Sequence, residues 1–422
     1  MREKFFCPSK WQELFLYLNH GTTNSCHHPI PHIIPLEELR ENPAALHNTK
    51  FKMAAQQKLL YGLPPKDCHM CSHIEKSNPY AKSDRHFKMS KFSEDTAETL
   101  KIDPNHVPKL IEIVFDNLCN LTCSYCDSGQ SSSWAKQLIK NGPFGLQTDH
   151  RNLYEKVHIS PGSTNSEYLN AWNIWWNEIK TKVEFLRISG GEPLTSPNIW
   201  NFIDSVKNDN LDLNLNVNTN LSFDQKYLEK LSNIQNNIKR IGISASIDST
   251  NKQAEFIRAG LNYDLFYKNV HWWCQNTNEN CVLSFSSTVN IFSIWGIEKV
   301  VNFHIDLKKK YGENKIVDYY STIVRFPEFQ NILILPRNLR EKLNKDLTIW
   351  MSSVQNDLSS EDIRCINKSI NYLVDEPKNL FQHNVDLLRQ DLKKFLVRYQ
   401  TMTSANISDI YPKEFIDWLD TL

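Results

Sequence analysis

Three thiols fall within eight residues in the run Cys119-Asn-Leu-Thr-Cys123-Ser-Tyr-Cys126. They are poorly placed for disulfides with one another and well placed for a loop that turns them toward one metal centre. Thiolate sulfur selects zinc or iron–sulfur clusters over hard cations. Three protein ligands leave a coordination position open for a substrate or cofactor, whereas a structural zinc site closes with four. A zinc ion borrowing its fourth ligand elsewhere is the competing reading. A second set, Cys7, Cys26, Cys68 and Cys71, supplies four thiols before residue 100, enough to close a site. Both an iron–sulfur cluster and zinc, with His27, His28 or His69 replacing a thiolate, fit that set. Cys274, Cys281 and Cys365 stand apart and read as small buried hydrophobes. A minority reading makes one of them a further cluster ligand or a catalytic thiol.

The triplet needs a scaffold, and the flanking residues supply one. Lys109-Leu-Ile-Glu-Ile-Val-Phe115 is apolar and β-branched, a strand whose C-terminal end delivers Asp116, Asn117 and Cys119 into a loop. A second strand, residues 183–189, ends in Gly190-Gly191-Glu192-Pro193. Glycine supplies only 12 of 422 residues, about 3% where roughly 7% is usual, so a Gly-Gly pair is informative here. Between the two strands Tyr168, Leu169, Trp172, Trp175, Trp176 and Ile179 recur at helical spacing. Strand, helix, strand implies parallel pairing. Residues 211–220 alternate with period two and end in Asn218, Thr219 and Asn220, polar groups suited to a cofactor pocket. Residues 240–248 form a fourth strand with Ser246 and Asp248 at its mouth. Residues 282–291 form a fifth carrying Thr288 and Asn290, and residues 315–324 a sixth.

Cys-x3-Cys-x2-Cys at the end of one strand and Gly-Gly-Glu-Pro at the end of the next resemble the motifs of the radical S-adenosylmethionine (SAM) superfamily. The resemblance implies an α/β fold, a partial (β/α)6 TIM-like barrel at residues 105–325, with a 4Fe-4S cluster on Cys119, Cys123 and Cys126 that leaves one iron for SAM. It further implies that Gly190, Gly191, Glu192 and Pro193 receive the SAM amino group and that Tyr125 lies beside the adenine. Ser246 and Asp248 fall where the family places hydrogen bonds to the ribose or methionyl group, with a buried Ser and a helix N-cap Asp as the bland alternative. Ile257-Arg258-Ala-Gly260 resembles the segment whose arginine holds the SAM carboxylate, which makes Arg258 the candidate; a solvated helix-end arginine is the alternative. Asn218 and Asn290 complete the expected cofactor contacts.

The cysteine set at 1–100 resembles the twitch domain, a half-size relative of the SPASM auxiliary-cluster module, placed before the barrel. Cys7-Pro8 and Trp11, Cys68-x2-Cys71 with Glu75, and Ser83 with Arg85 carry that likeness. A second iron–sulfur cluster is the implied cofactor. The implied reaction is one-electron cleavage of SAM to methionine and a 5′-deoxyadenosyl radical, which takes hydrogen from a peptide or small-metabolite substrate. The electron would come from an external reductant such as a flavodoxin or ferredoxin. The reading from a different class is a zinc-binding scaffold protein on a degenerate barrel.

Beyond residue 335 leucines and aromatics recur at helical spacing, giving a helical region over 335–422. The stretch 141–166, rich in Gly, Pro, Ser, Thr and Asn, is long for a loop and reads as a lid or substrate contact. Lys and Arg total 48, as do Asp and Glu, so net charge offers no pull toward nucleic acid or anionic membrane. No apolar run approaches the roughly 18–20 residues of a membrane span, and Pro8, Lys10, Gln12 and Glu13 interrupt the early apolar run, so no secretory signal is expected. Ten cysteines in such a chain argue against a disulfide scaffold and for a cytoplasmic, oxygen-sensitive enzyme.

Overall fold

A computed structural model describes residues 5–77, 82–163, 165–376 and 380–422. In chain order its strands are β1 (Glu13–Tyr17), β2 (Thr22–Asn24), β3 (His32–Ile33), β4 (Leu110–Val114), β5 (Thr122–Cys123), β6 (Phe185–Ser189), β7 (Leu211–Thr219), β8 (Ile238–Ser246), β9 (Arg258–Ala259), β10 (Cys281–Val289) and β11 (Ile316–Ile323). Nine of them form one sheet in the order β11-β10-β8-β7-β6-β4-β1-β2-β3. From β11 to β1 all neighbours are parallel, and β2 and β3 add antiparallel at the far edge. Parallel neighbours require crossovers. Helices Ser166–Ile179, Pro197–Val206, Lys226–Ser232, Tyr263–Asn276 and Ile297–Tyr311 provide them in turn between β4, β6, β7, β8, β10 and β11. The fold is α/β, with the six expected strands present and a helical region after residue 335.

Period-two alternation sorts each strand's side chains onto two faces. On β7, Leu211, Leu213, Leu215 and Val217 are buried while Asn214, Asn216 and Asn218 are half-buried on the opposite face. The buried face meets the crossover helices. Trp172, Trp175 and Trp176 pack there, Trp172 edge-on to Phe115 and Trp176 against Phe202. The exposed edge of β11, an invitation to aggregation, is engaged by helix Ser360–Tyr372: Asp362 accepts from Tyr319 N at 2.6 Å and Ser321 Oγ donates to Cys365 O at 3.0 Å. Cys274, Cys281 and Cys365 are all buried, and burial pushes their thiols up, Cys274 to about 12 and Cys281 to about 11.

Two segments are tied closely to the rest of the fold. The segment 1–100 is not separate from the sheet: β1 pairs in parallel register with β4, and Leu14, Leu16, Leu18, Ile34 and Leu39 belong to the main core. Only Phe6, Trp11, Leu59 and Leu100 form a second, small core, with Cys7 packed against it. Nor is 141–166 a free lid. Thr164 lies outside the described residues, but Tyr154 is fully buried and Thr148 donates through its N and Oγ1 to Asp391 Oδ2 at 2.6 and 2.7 Å, fastening the loop to helix Val385–Thr403. Buried anchors thus alternate with exposed residues along it.

Because β1 shares the main core, a chain beginning at residue 105 should lack independent stability. We expect it to be insoluble or to lose cooperative thermal unfolding, and a soluble product with a sharp transition would show that the barrel region folds alone.

Candidate functional site

The triplet loop leaves β4 and runs directly under the turn that leaves β6. Gly190 has φ +120°, a conformation open to glycine. A Cβ on Gly191 would stand 2.1 Å from Leu118 O, so only glycine lets the two backbones touch. Glu192 N donates to Leu118 O at 2.5 Å. Asp116 fastens the same junction, its Oδ2 accepting from Ser196 Oγ at 2.5 Å and Asn198 Nδ2 at 3.0 Å.

Glu192 faces away from the loop. Its buried carboxylate accepts from Thr219 Oγ1 at 2.7 Å, Asn220 N at 2.6 Å and Leu194 N at 3.2 Å, tying the turn to the end of β7. Burial outweighs those hydrogen bonds and pushes the carboxyl up to about 7. Pro193 begins the short helical turn Pro193–Thr195 and is buried. The carboxylate therefore positions the turn, and what the turn offers a ligand is backbone.

Within the loop, almost every carbonyl has a donor. Ser133 Oγ donates to Cys119 O at 2.7 Å, Ser131 Oγ to Leu121 O at 2.6 Å, Tyr399 OH to Thr122 O at 2.8 Å and Trp134 Nε1 to Cys123 O at 2.9 Å. Ser124 O receives both Tyr154 OH and Gln330 Nε2 at 2.6 Å. Leu121 N points at Cys119 Sγ, 3.4 Å away. Strand β5, which contains Cys123, pairs with β9, which contains Arg258. The sulfurs are thus held before any ligand arrives. Burial pushes Cys119 to about 12 and Cys123 to about 11, the latter against the pull of Arg258. Buried thiols of this kind ionise when a metal binds them.

Asp248, Arg258 and Tyr125 form one buried group beside the triplet. Tyr125 OH donates to Asp248 Oδ2 at 2.6 Å, and Arg258 Nη2 to Oδ1 at 3.1 Å; Arg258 Nε lies 2.8 Å from Oδ2 without aiming at it. Arg258 Nη1 faces Cys123 Sγ at 4.0 Å. Arg258 is 7% exposed, which removes the reading of a solvated surface arginine. Asp248 caps no helix: its third donor is Thr288 N, at 2.7 Å from Oδ1.

Asn218 lines a cleft of about 630 Å³ over the polar face of the sheet, with Asn214, Asn216, Arg187, Arg240 and Ser284 among its neighbours. Arg187 Nε, Asn216 Oδ1 and Asn218 Oδ1 have no partner there among the described residues. Ser246 ends β8, level with Ser286, on the same face by alternation. Asn290 is placed differently from expectation. Its Oδ1 accepts from Phe292 N at 2.8 Å and Ser293 N at 3.1 Å, and its amide donates to Thr288 O, so the side chain closes the turn after β10 and is fully buried. A larger cleft, about 710 Å³, lies outside the loop against residues 402–406, but it holds neither a cysteine nor an arginine.

The four N-terminal cysteines line one cavity, together with His28, Asp67, Met70 and Arg85. Cys68 ends a short helical turn and Cys71 sits in helix His69–Ser77. Arg85 grips Glu75 through two hydrogen bonds of 2.9 Å and donates to Phe6 O at 3.2 Å, which draws the Cys7 segment toward the Cys71 helix. Lys10 pairs with Asp67, next to Cys68. Burial pushes Cys26 up to about 11 and Cys68 to about 12. Neither cysteine set brings three sulfurs within 4.8 Å of one another among the described residues. A lone zinc ion, about 2.3 Å from each sulfur, would need them about 3.8 Å apart.

Gln330, Tyr154, Trp134 and Tyr399 carried no signal in the sequence: Trp134 sits in the helix just after the loop and the other three reach it from more distant segments, and a single Trp, Gln or Tyr has no motif. No family model matches this chain, and no curated protein matches it. Similar solved structures include Streptococcus suis SuiB bound to the precursor peptide SuiA, SuiB bound to S-adenosylmethionine, and SuiB without either. Each is 15% identical, with TM-scores of 0.37, 0.37 and 0.34. The matches cover 72%, 71% and 71% of this chain and 64%, 64% and 62% of SuiB, so the chain spans less than two thirds of that protein's length. No described helix is long and apolar enough to cross a membrane.

Two substitutions test the junction. Gly191→Ala forces Leu118 away and should lower the iron bound after anaerobic reconstitution; unchanged iron would show that the contact is dispensable. Glu192→Gln places an amide N–H against Asn220 N and should cost about 1–3 kcal/mol. A carboxyl raised to about 7 holds its proton more tightly in the folded chain, so wild type gains stability as pH falls from about 7 to about 4.5. The stability difference between wild type and Glu192→Gln, followed by denaturant titration, should grow across that window and stay flat above it.

Proposed function

We propose that this chain is a radical SAM enzyme: a partial (β/α)6 barrel whose Cys119, Cys123 and Cys126 hold a 4Fe-4S cluster, preceded by a twitch-type auxiliary centre on Cys7, Cys26, Cys68 and Cys71. The observation that carries the reading is the contact of Gly191 with the Leu118 backbone, which joins the three-thiol loop to the Gly-Gly-Glu-Pro turn. Three ligands leave one iron available for SAM. When bound, the cluster and SAM supply a reductively generated 5′-deoxyadenosyl radical, the hydrogen-abstracting agent.

The chain's own residues bind and orient. Asp248 fixes Tyr125 and Arg258 in one buried group, leaving Arg258 Nη1 facing Cys123 for an anion such as the SAM carboxylate. The turn at 190–193 offers backbone acceptors to the SAM ammonium. Asn218 and Ser246 present polar groups at strand ends, and the cleft over the sheet, with its unpartnered Asn and Arg atoms, suits a polar substrate, either a peptide or a small metabolite. The tightly packed loop keeps bulk water from the reacting centre. A flavodoxin or ferredoxin would deliver the electron, in a cytoplasmic setting.

Anaerobically reconstituted protein should yield 5′-deoxyadenosine from SAM under strong reductant, and Cys123→Ala should abolish that product while the N-terminal set keeps its metal. Iron should reach about eight per chain if both clusters are of the four-iron type. Zinc in place of iron and sulfide, with no 5′-deoxyadenosine, would sink the proposal.

A further inference from the structure

Outside both cysteine sets, His150, Glu328 and His383 each offer one ligand atom, and the three atoms lie within 4.8 Å of one another. The residues come from three segments: the stretch after helix Ser132–Asn141, the turn Glu328–Gln330 following β11, and the approach to helix Val385–Thr403. Glu328's side chain is 3% exposed, yet its only ion-pair partner among the described residues is His383, whose Nδ1 lies 3.1 Å from Oε2. Gln382 N supplies the remaining hydrogen bonds to both carboxylate oxygens, at 3.1 and 3.3 Å. A buried carboxylate without lysine or arginine calls for another cation. Two imidazoles stand ready beside it, their ring centroids 5.7 Å apart.

We propose that His150, Glu328 and His383 bind a divalent first-row transition ion, with zinc as its simplest representative. Two histidines and a glutamate form a recognised three-ligand set for zinc and, with carboxylate, for iron(II). His150 is exposed, so water completes the coordination. The ion's place in the fold gives it a consequence. Tyr154, four residues beyond His150, and Gln330, two beyond Glu328, both donate to Ser124 O between Cys123 and Tyr125. A metal joining His150 to Glu328 therefore staples together the two segments that converge on the triplet loop and ties both to the C-terminal helices.

The test uses the full-length chain with its cysteine sites reconstituted, incubated anaerobically with zinc chloride and freed of unbound metal. Wild type should retain one more zinc per chain than His150→Ala or His383→Ala, with iron content equal in all three. Zinc should raise the unfolding temperature of wild type and leave that of both variants unmoved. Zinc bound at the thiols is common to all three proteins and cancels in the comparison. Should His383→Ala fail to fold, His150→Ala decides alone, because the His150 ring is exposed and carries no hydrogen bond among the described residues. Equal zinc in wild type and His150→Ala, whether some or none, overturns the proposal and leaves the 3.1 Å contact with His383 as the pairing of Glu328.

Discussion

The backbone of residues 117–118 lies against the Gly190–Gly191 turn with no room for a side chain between them, and much of the site follows from that contact. A side chain at 191 would overlap Leu118 O, so the approach is available to glycine alone. Once the two turns meet, Glu192 is carried into the end of β7, where Thr219 and Asn220 hold it. Asp116 is likewise brought against Ser196 and Asn198. Three consecutive parallel strands thereby share one polar junction at their C-terminal ends. The cysteines hang from that junction rather than from a flexible loop.

A second constraint is electrostatic. Asp248 and Arg258 are both almost wholly buried, and neither charge is tolerable alone in such a place. Pairing them solves the desolvation problem and also sets direction: Arg258 enters through β9, which pairs with the strand holding Cys123. The ion pair thus locks the middle cysteine to the end of β8. Tyr125, inserted between the second and third cysteines, joins the same pair through its hydroxyl.

The strands, the tryptophan helix and the two cysteine sets were legible because each rests on local periodicity or spacing. Alternation in β7 shows which face is polar, and Trp172, Trp175 and Trp176 declare a buried stripe. Long-range pairings were not legible. Nothing in Glu13–Tyr17 announces that it joins β4, since any short apolar strand reads alike. Composition alone did not show that 141–166 is anchored, which rests on Thr148 reaching Asp391 and on the buried Tyr154. Asn290 looked like a strand-end ligand and instead closes its own turn, a use of asparagine that sequence alone does not separate from binding.

The two cysteine sets differ in how they are held, and the difference bears on their roles. Around the triplet, side chains donate to the backbone carbonyls of the loop from the helix holding Ser133 and Trp134 and from Tyr154, Gln330 and Tyr399, so geometry is imposed from four segments. Around Cys7, Cys26, Cys68 and Cys71 the described residues are tied by ion pairs and side-chain contacts, among them the bidentate Arg85–Glu75 pair, Lys10–Asp67, His28 with Asp84 and Arg85 on Phe6 O, beside a four-residue core. A centre that must present an open coordination position needs a rigid frame. A centre closed by four thiolates can draw its own ligands together, because metal binding supplies the folding energy. The bracing of the triplet loop by side chains from distant segments is what the proposed open centre requires, and the N-terminal cavity asks less of its frame if a metal gathers its thiols.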